Sequence, residues 1–352
     1  MSVRSIPFLL LSLAIGAAAF VGAMQLGNDY IFFAGYVVLQ YIVLSSAWNI
    51  LGGYCGYVNF GTAGFFGLGA YSTVAVYQFI QGNELPQVVP MPLLILLGGL
   101  IAGVVGFGMG YLTLRLRGAF FAIATLALAV VMETLVVNWD FVGGSRGAYI
   151  IRPETIGPLG SYVRYLALLM LVLAVAALNI ARLIERSRLG YGFATIRDDE
   201  LAAEAAGVPT LRLKLIATTI SGVLMGMAGA PFPYYIGYLQ PDSTFGFDIA
   251  VNSIAMPLIG GTSSWVGPLI GTLLLGSLQQ LITVTISSAV NLLLVGALLV
   301  IFVIAAPNGI LGLVHKYLQR KPDEFVGRRR IDIDAPAAPP AAEPSSAPGS
   351  PP

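Results

Sequence analysis

The stretch that decides the architecture is RLIERSRLGYGFATIRDDELAAEAAGVPTLRLK, residues 182–214. It gathers Arg182, Glu185, Arg186, Arg188, Arg197, Asp198, Asp199, Glu200, Glu204, Arg212 and Lys214 into one short island. Downstream, residues 215–314 hold only two charged side chains, Asp242 and Asp248. Upstream, charges are scattered singly among long apolar runs. A charged island between two apolar blocks reads as a loop outside a membrane, large enough to meet a partner.

Composition agrees. The 352 residues are 57% hydrophobic and 10% charged, whereas soluble domains carry about 25% charged residues. Too little charge is present to cover a soluble surface, and the apolar content excludes disorder of the main body. A net charge of +1 with no basic face gives nothing for nucleic acid. The single cysteine, Cys55, cannot form an internal disulfide, and the single histidine, His315, cannot build a metal cluster. Cys55 reads as a small packing residue and His315 as a snorkelling interface residue. A Ser-His-Asp triad would have to recruit that one histidine from the membrane edge.

The chain is therefore expected to be an all-α polytopic membrane protein. At roughly 20 residues per span, about ten apolar runs qualify: 7–26, 31–51, 57–80, 91–114, 119–138, 163–183, 213–231, 247–261, 266–286 and 289–306. The third is Gly-rich and the eighth is short. The first run has only Arg4 ahead of a long apolar core, which favours a retained helix over a signal peptide. With the N-terminus inside, the inner loops hold Arg115, Arg117, Arg186, Arg188, Arg197 and Arg212, and the tail holds Lys316, Arg320, Lys321 and Arg328 to Arg330. The outer loops hold Asp29, Glu84, Asp140, Arg146, Arg152, Glu154 and Asp242. That asymmetry obeys the positive-inside rule, and an even number of spans places both termini in the cytoplasm. Residues 1–315 form the membrane domain, with the island at 184–212. Residues 316–352 form a charged, then Ala/Pro/Ser-rich tail that cannot build a core.

Inside the spans, Gly99-x-x-x-Gly103, Ala102-x-x-x-Gly106-x-x-x-Gly110 and Gly222-x-x-x-Gly226 place small residues at helix-packing spacing. Two segments look interrupted: GGYCGYVNFGTAGFFGLG at 52–69 and NSIAMPLIGGTSSWVGP at 252–268. Glycine at that density costs a helix roughly 1 kcal/mol per position. Short Gly/Pro-interrupted segments in two halves of a chain suggest a transport pathway, lined by Asn59, Gly61, Gly64, Asn252, Ser253 and Pro257; a structural kink is the alternative. The neutral polar side chains Asn49, Asn59, Asn252, Gln279 and Gln280 suit either a corridor or interhelical hydrogen bonds. Glu133 and Asp248 are isolated acids near span ends, and no buried chain of acids or histidines relays protons.

Within the island, the sequence predicts a short helix from about Asp198 to Ala206. Its acids suit the positive end of the helix dipole. Gly207 stops it and Pro209 prevents continuation. Ala202, Ala203 and Ala206 offer a smooth face suited to a partner's groove, although an ordinary amphipathic loop helix reads the same way.

Ala202-Ala203-x-x-x-Gly207 is similar to the Glu-Ala-Ala-x-x-x-Gly pattern in the coupling loop of permeases of ATP-binding-cassette (ABC) importers. Glu200 sits one residue ahead of the pattern's acid, and Leu201 occupies that position. The longer run from Arg188 to Val208 resembles the same loop in the branched-chain amino acid permease family, its M-type subunit in particular. Similarity continues through 215–229, Tyr238-Leu-Gln-Pro-Asp-Ser-Thr-Phe, the 260–271 region and Asn59-Phe-Gly, covering about 48–312.

The resemblance implies a transport subunit that pairs with a second, homologous permease. Two ATP-binding subunits would drive it, and a periplasmic solute-binding protein would deliver the solute. Arg197, Asp198, Asp199, Glu200, Ala202, Ala203 and Gly207 would couple to the ATPases. The implied location is the bacterial inner membrane. The lysines, Lys214, Lys316 and Lys321, never follow a glycine, so no Gly-Lys-Ser/Thr phosphate loop is present and ATP would be bound by the partners; no cofactor of this chain's own is expected. Branched-chain amino acids are the implied solutes, with urea, short amides or aromatic acids as family alternatives. A stand-alone carrier or channel is the competing class, and a membrane enzyme fits least.

Overall fold

The computed structural model describes residues 6–83, 89–113, 116–153, 155–156, 160–285, 293, 296–302 and 309–318. Long helices follow the apolar runs: α1 (Ile6–Gln25), α2 (Asp29–Asn49), α3 (Thr62–Gly82), α4 (Met91–Thr113), α5 (Ala119–Val137) and α6 (Tyr162–Glu185). Then come α7 (Arg188–Asp198), α8 (Glu200–Ala205), α9 (Thr210–Gly229), α10 (Phe232–Ile236) and α11 (Pro241–Thr244). The last are α12 (Phe247–Gly260), α13 (Val266–Thr285) and α14 (Gly309–Leu318). Two short antiparallel ladders join loops at the end opposite α7 and α8: Ala148–Tyr149 with Tyr238–Leu239, and Thr155–Ile156 with Gly160–Ser161. The chain is an all-α polytopic membrane protein, and eight of its described helices are long and apolar enough to span.

Helices α2, α3 and α9 form the centre; α4 lies on α9, α6 on α2, α5 on α3, and α12 and α13 flank α2. The small-residue ladders explain the close contact of α4 with α9. At Gly226 an added Cβ would strike Ala102 and the Gly98 carbonyl, and at Gly69 it would strike the Gly226 backbone. Three backbones therefore meet where any larger side chain would hold them apart.

Three segments depart from plain spans or loops, two of them where the sequence looked Gly-rich or short. The run at 57–80 becomes helical only at Thr62; instead α2 continues as a π-helical turn, Ile50–Tyr54, and residues 55–61 leave helical geometry. The Asn59 side chain accepts from the Gly61 amide (2.8 Å) and its carbonyl from the Trp48 indole (2.8 Å), which fixes this break. The run at 247–261 forms α12, whose 14 residues reach about 21 Å, short of the roughly 30 Å core. The segment before it dips inward: Phe245 packs against Gly67 and Tyr71, and the Phe247 ring stacks 6.1 Å from Phe60. Finally, the island's expected helix is Glu200–Ala205, and a further helix, Arg188–Asp198, precedes it.

The tenth run, 289–306, falls largely outside the described residues, as do Glu84, Arg115, Glu154, the His315 side chain and the tail beyond Leu318. The start of α1 lies at the island's end of the bundle, where Phe8 meets Trp265 (5.0 Å) and the Arg182 guanidinium (3.5 Å). The start of α14 is at that end as well, with Gly309 against Gly261.

Candidate functional site

The island folds by local rules. Ser187 caps α7 by accepting from the Leu189 amide (3.1 Å). Phe193 and Ile196 then turn inward and are fully buried, anchoring α7 on the core. Asp199 adopts extended backbone, so the helix stops, and its carboxylate accepts from the Ala202 amide (3.0 Å), starting α8. At the other end the Val208 amide donates to the Ala203 carbonyl (2.9 Å) and the Gly207 amide to Glu204 (3.0 Å). This paired closure requires left-handed backbone at Gly207, whose φ is +82°. Ala203 is buried, while Leu201, Ala202, Ala205 and Ala206 face outward. The bare face is therefore Ala202, Ala205 and Ala206 with Leu201. Ala203, expected on that face, is instead the residue that packs α8 inward.

Under α8 sits a charged node. Lys214, 2% exposed, places its ammonium 2.7 Å from Glu200 Oε1 and 3.2 Å from the Tyr57 hydroxyl, 4.8 Å from the Tyr57 ring centre. The Tyr57 hydroxyl donates to Glu200 Oε2. Arg117 approaches Glu200 at 3.6 Å and pairs with Glu204 at 3.0 Å, while Thr210 donates to Glu204 at 2.8 Å. Burial alone would raise the Glu200 pKa; hydrogen bonds from Lys214 and Tyr57 and the two cations outweigh it and hold the carboxyl below its usual range. Removing either partner leaves the other charge withdrawn from water without its counter-ion. Beside the node, burial pushes the Cys55 thiol up to about 12, with Glu200 adding to the shift and Lys214 opposing it.

A second carboxylate, Glu185 at the end of α6, accepts from the Tyr54 hydroxyl (3.3 Å) and the Trp265 amide (2.7 Å). Arg197 reaches the Gly53 carbonyl (3.4 Å) and also pairs with Asp198 (3.4 Å). The Gly-rich break and the charged island, separate features in the sequence, thus share one site.

The expected pathway residues fall in two other places. Asn59, Gly61 and Gly64 are buried between α2, α3 and α5, the two glycines lying against Thr125 and Ala129. Asn252 is half-buried and joins α12 to its neighbours, accepting from Gln279 (2.9 Å) and donating to the Tyr41 hydroxyl (3.4 Å). Ser253 is buried and donates to the Ile249 carbonyl (2.7 Å), and Pro257 is buried beside it. Of the neutral polar set, Gln280 borders a groove of 490 Å³ between α2 and α13, where Ser277 interrupts mainly apolar walls.

The family model described as "Branched-chain amino acid transport system / permease component" matches residues 30–303. The chain belongs to this permease family. It is 28% identical over 318 residues to the high-affinity branched-chain amino acid transport permease LivM of Salmonella typhimurium, covering 83% of this chain and 72% of that protein. LivM of Escherichia coli is 28% identical over 310 residues, covering 81% and 71%. The permease LivH of Salmonella typhimurium is 27% identical over 146 residues, covering 42% of this chain and 47% of LivH. No solved structure matches the permease.

Nothing in the sequence marks Tyr57 or Arg117 as partners of the permease's island, or Tyr54 and Trp265 as partners of its Glu185. Lys214 carried a usable signal: a lysine four residues beyond Thr210, at the entry to an otherwise apolar run. Such a charge at a span's edge needs a counter-charge, and Glu200 supplies it.

Proposed function

We propose that this permease is one of two different membrane subunits of an ABC importer for branched-chain, or related small neutral or hydrophobic, amino acids. In this reading α7 and α8 lie in the cytoplasm and two ATP-binding subunits grip the outward face of α8. A homologous permease completes the translocation path in the inner membrane, and a periplasmic solute-binding protein delivers the solute. ATP binding and hydrolysis belong to the partners. The ATPases close on one another, push α8, and tilt the spans attached to it.

One observation carries this reading. In a chain of this family, α8 is capped at Asp199, closed at Gly207 and anchored inward by Ala203, yet leaves Leu201, Ala202, Ala205 and Ala206 uncovered. Small side chains on a rigid helix allow close approach by a groove. Deleting residues 198–207 should leave the protein in the membrane while abolishing co-purification of the ATP-binding subunits. Recovery of those subunits at the wild-type level would reject the assignment. Uptake by the purified chain alone in liposomes would favour the stand-alone carrier.

A further inference from the structure

We propose that Glu200, Lys214 and Tyr57 are positioning residues that latch α8 to the start of α3, so that a push on α8 reaches the Gly-rich break directly. The inference rests on the reading of α8 as the docking helix, and deepens it by naming the route inward.

The three side chains come from three segments: Glu200 from α8, Lys214 from α9 and Tyr57 from the break before α3. Each touches the other two, through the 2.7 Å ion pair, the 3.2 Å hydrogen bond from Lys214 to the tyrosine hydroxyl, and the hydrogen bond from that hydroxyl to Glu200. Lys214 and Glu200 are largely withdrawn from water, with side chains 3% and 12% exposed. Water therefore cannot readily replace these contacts: parting Glu200 from Lys214 would strand a buried charge, and parting either from Tyr57 would cost a buried hydrogen bond.

Tyr57 is also well placed to pass motion on. Two residues later Asn59 makes the turn that opens α3, and the Phe60 amide donates to Thr125 of α5 (3.1 Å). The Trp48 indole binds the Asn59 carbonyl from α2. A displacement at Tyr57 is thereby shared among α2, α3 and α5. The outer pair of Arg117 with Glu204 is 48% and 41% exposed and adds little stiffness.

The test uses the assembled transporter in proteoliposomes, with leucine as the transported probe. Two quantities are read: leucine moved per ATP hydrolysed, and ATP-binding subunit recovered with the permease. Lys214→Met should lower the first about tenfold and Tyr57→Phe about threefold, with recovery of the ATPase unchanged. Lys214→Arg, which keeps the cation, should restore most of the ratio. An unchanged ratio in both Lys214→Met and Tyr57→Phe overturns the latch. So does a fall in transport that only follows a proportional loss of bound ATPase, because the node would then shape α8 for docking and nothing more. If Lys214→Met fails to insert, Tyr57→Phe, which removes a single hydroxyl, decides. Failure of the docking reading is seen separately, as wild-type permease that recovers no ATPase.

Discussion

Two regions of the permease solve opposite problems. At the seam of α3, α4 and α9, contact is made by removing side chains: Gly69, Gly98 and Gly226 bring backbones together, with Ala102 as the nearest methyl. At the island's end, contact is made by adding charge: Glu200, Lys214, Tyr57 and Arg117 converge under α8. The seam has one arrangement, since parting it opens a void that nothing fills. The node is directional, tied by named hydrogen bonds at the edge of the apolar region. Rigidity therefore lies in the seam, and in the function proposed above the node is the connection to a driving partner.

Substitutions can break this contrast at either side. The largest effect is expected at the seam. Gly226→Leu drives a side chain into Ala102 and the α4 backbone, a cost at the top of the usual range of about 1–3 kcal/mol for overpacking. Thermal unfolding in detergent should show a much lower midpoint; a wild-type midpoint would mean that the seam is slack. Next is Asp199→Ala, which removes the cap of α8 at about 1 kcal/mol. Amide exchange at residues 200–205 should quicken about fivefold while the seam stays protected. Equal quickening in α4 and α9 would erase the distinction between the regions.

The smallest effect is in pH. Glu200 has its pKa depressed in the fold, so its contribution is present above the unfolded carboxyl value of about 4.3 and is lost as pH falls through the lower folded value. The stability difference between wild type and Glu200→Gln should be flat from pH 6 to 8, about two units wide, and shrink only on acidification. A difference that shrinks near neutrality would show that the node is not held by an ionised Glu200.

Much of the architecture was legible in the sequence. Runs 91–114 and 119–138 became Met91–Thr113 and Ala119–Val137, because apolar length alone fixes where a helix can lie in lipid. The ladders pointed to Ala102 and Gly226 in the seam, because small residues at four-residue spacing allow close helix approach whether the interface is fixed or moving; Gly69 and Gly98, which complete it, lie outside those ladders. The end of α8 was also legible, since Gly207 and Pro209 leave few alternatives. The break of α7 from α8 was not: Asp199 reads equally as a first-turn acid or as a cap, and only its extended backbone decides. The node was hidden for another reason. Tyr57 and Glu200 are separated by 143 positions, and helix periodicity says nothing about which helix ends meet. The interrupted segments were recognised as special, yet Asn59, Gly61 and Gly64 turn out to be packed inside this one chain. Glycine density marks close approach and open passage alike.

The central claim is that the outward face of α8 meets the ATP-binding partner. Its most direct test is site-specific cross-linking in a background where the single cysteine, Cys55, is replaced by serine. Single cysteines are placed at Ala202, Ala205 or Ala206 on the bare face and at Ala203 on the buried one. We expect cross-links to the ATP-binding subunit from the first three and none from Ala203→Cys. Cross-links absent from all of the bare-face positions, in a transporter that still moves leucine, would contradict the claim.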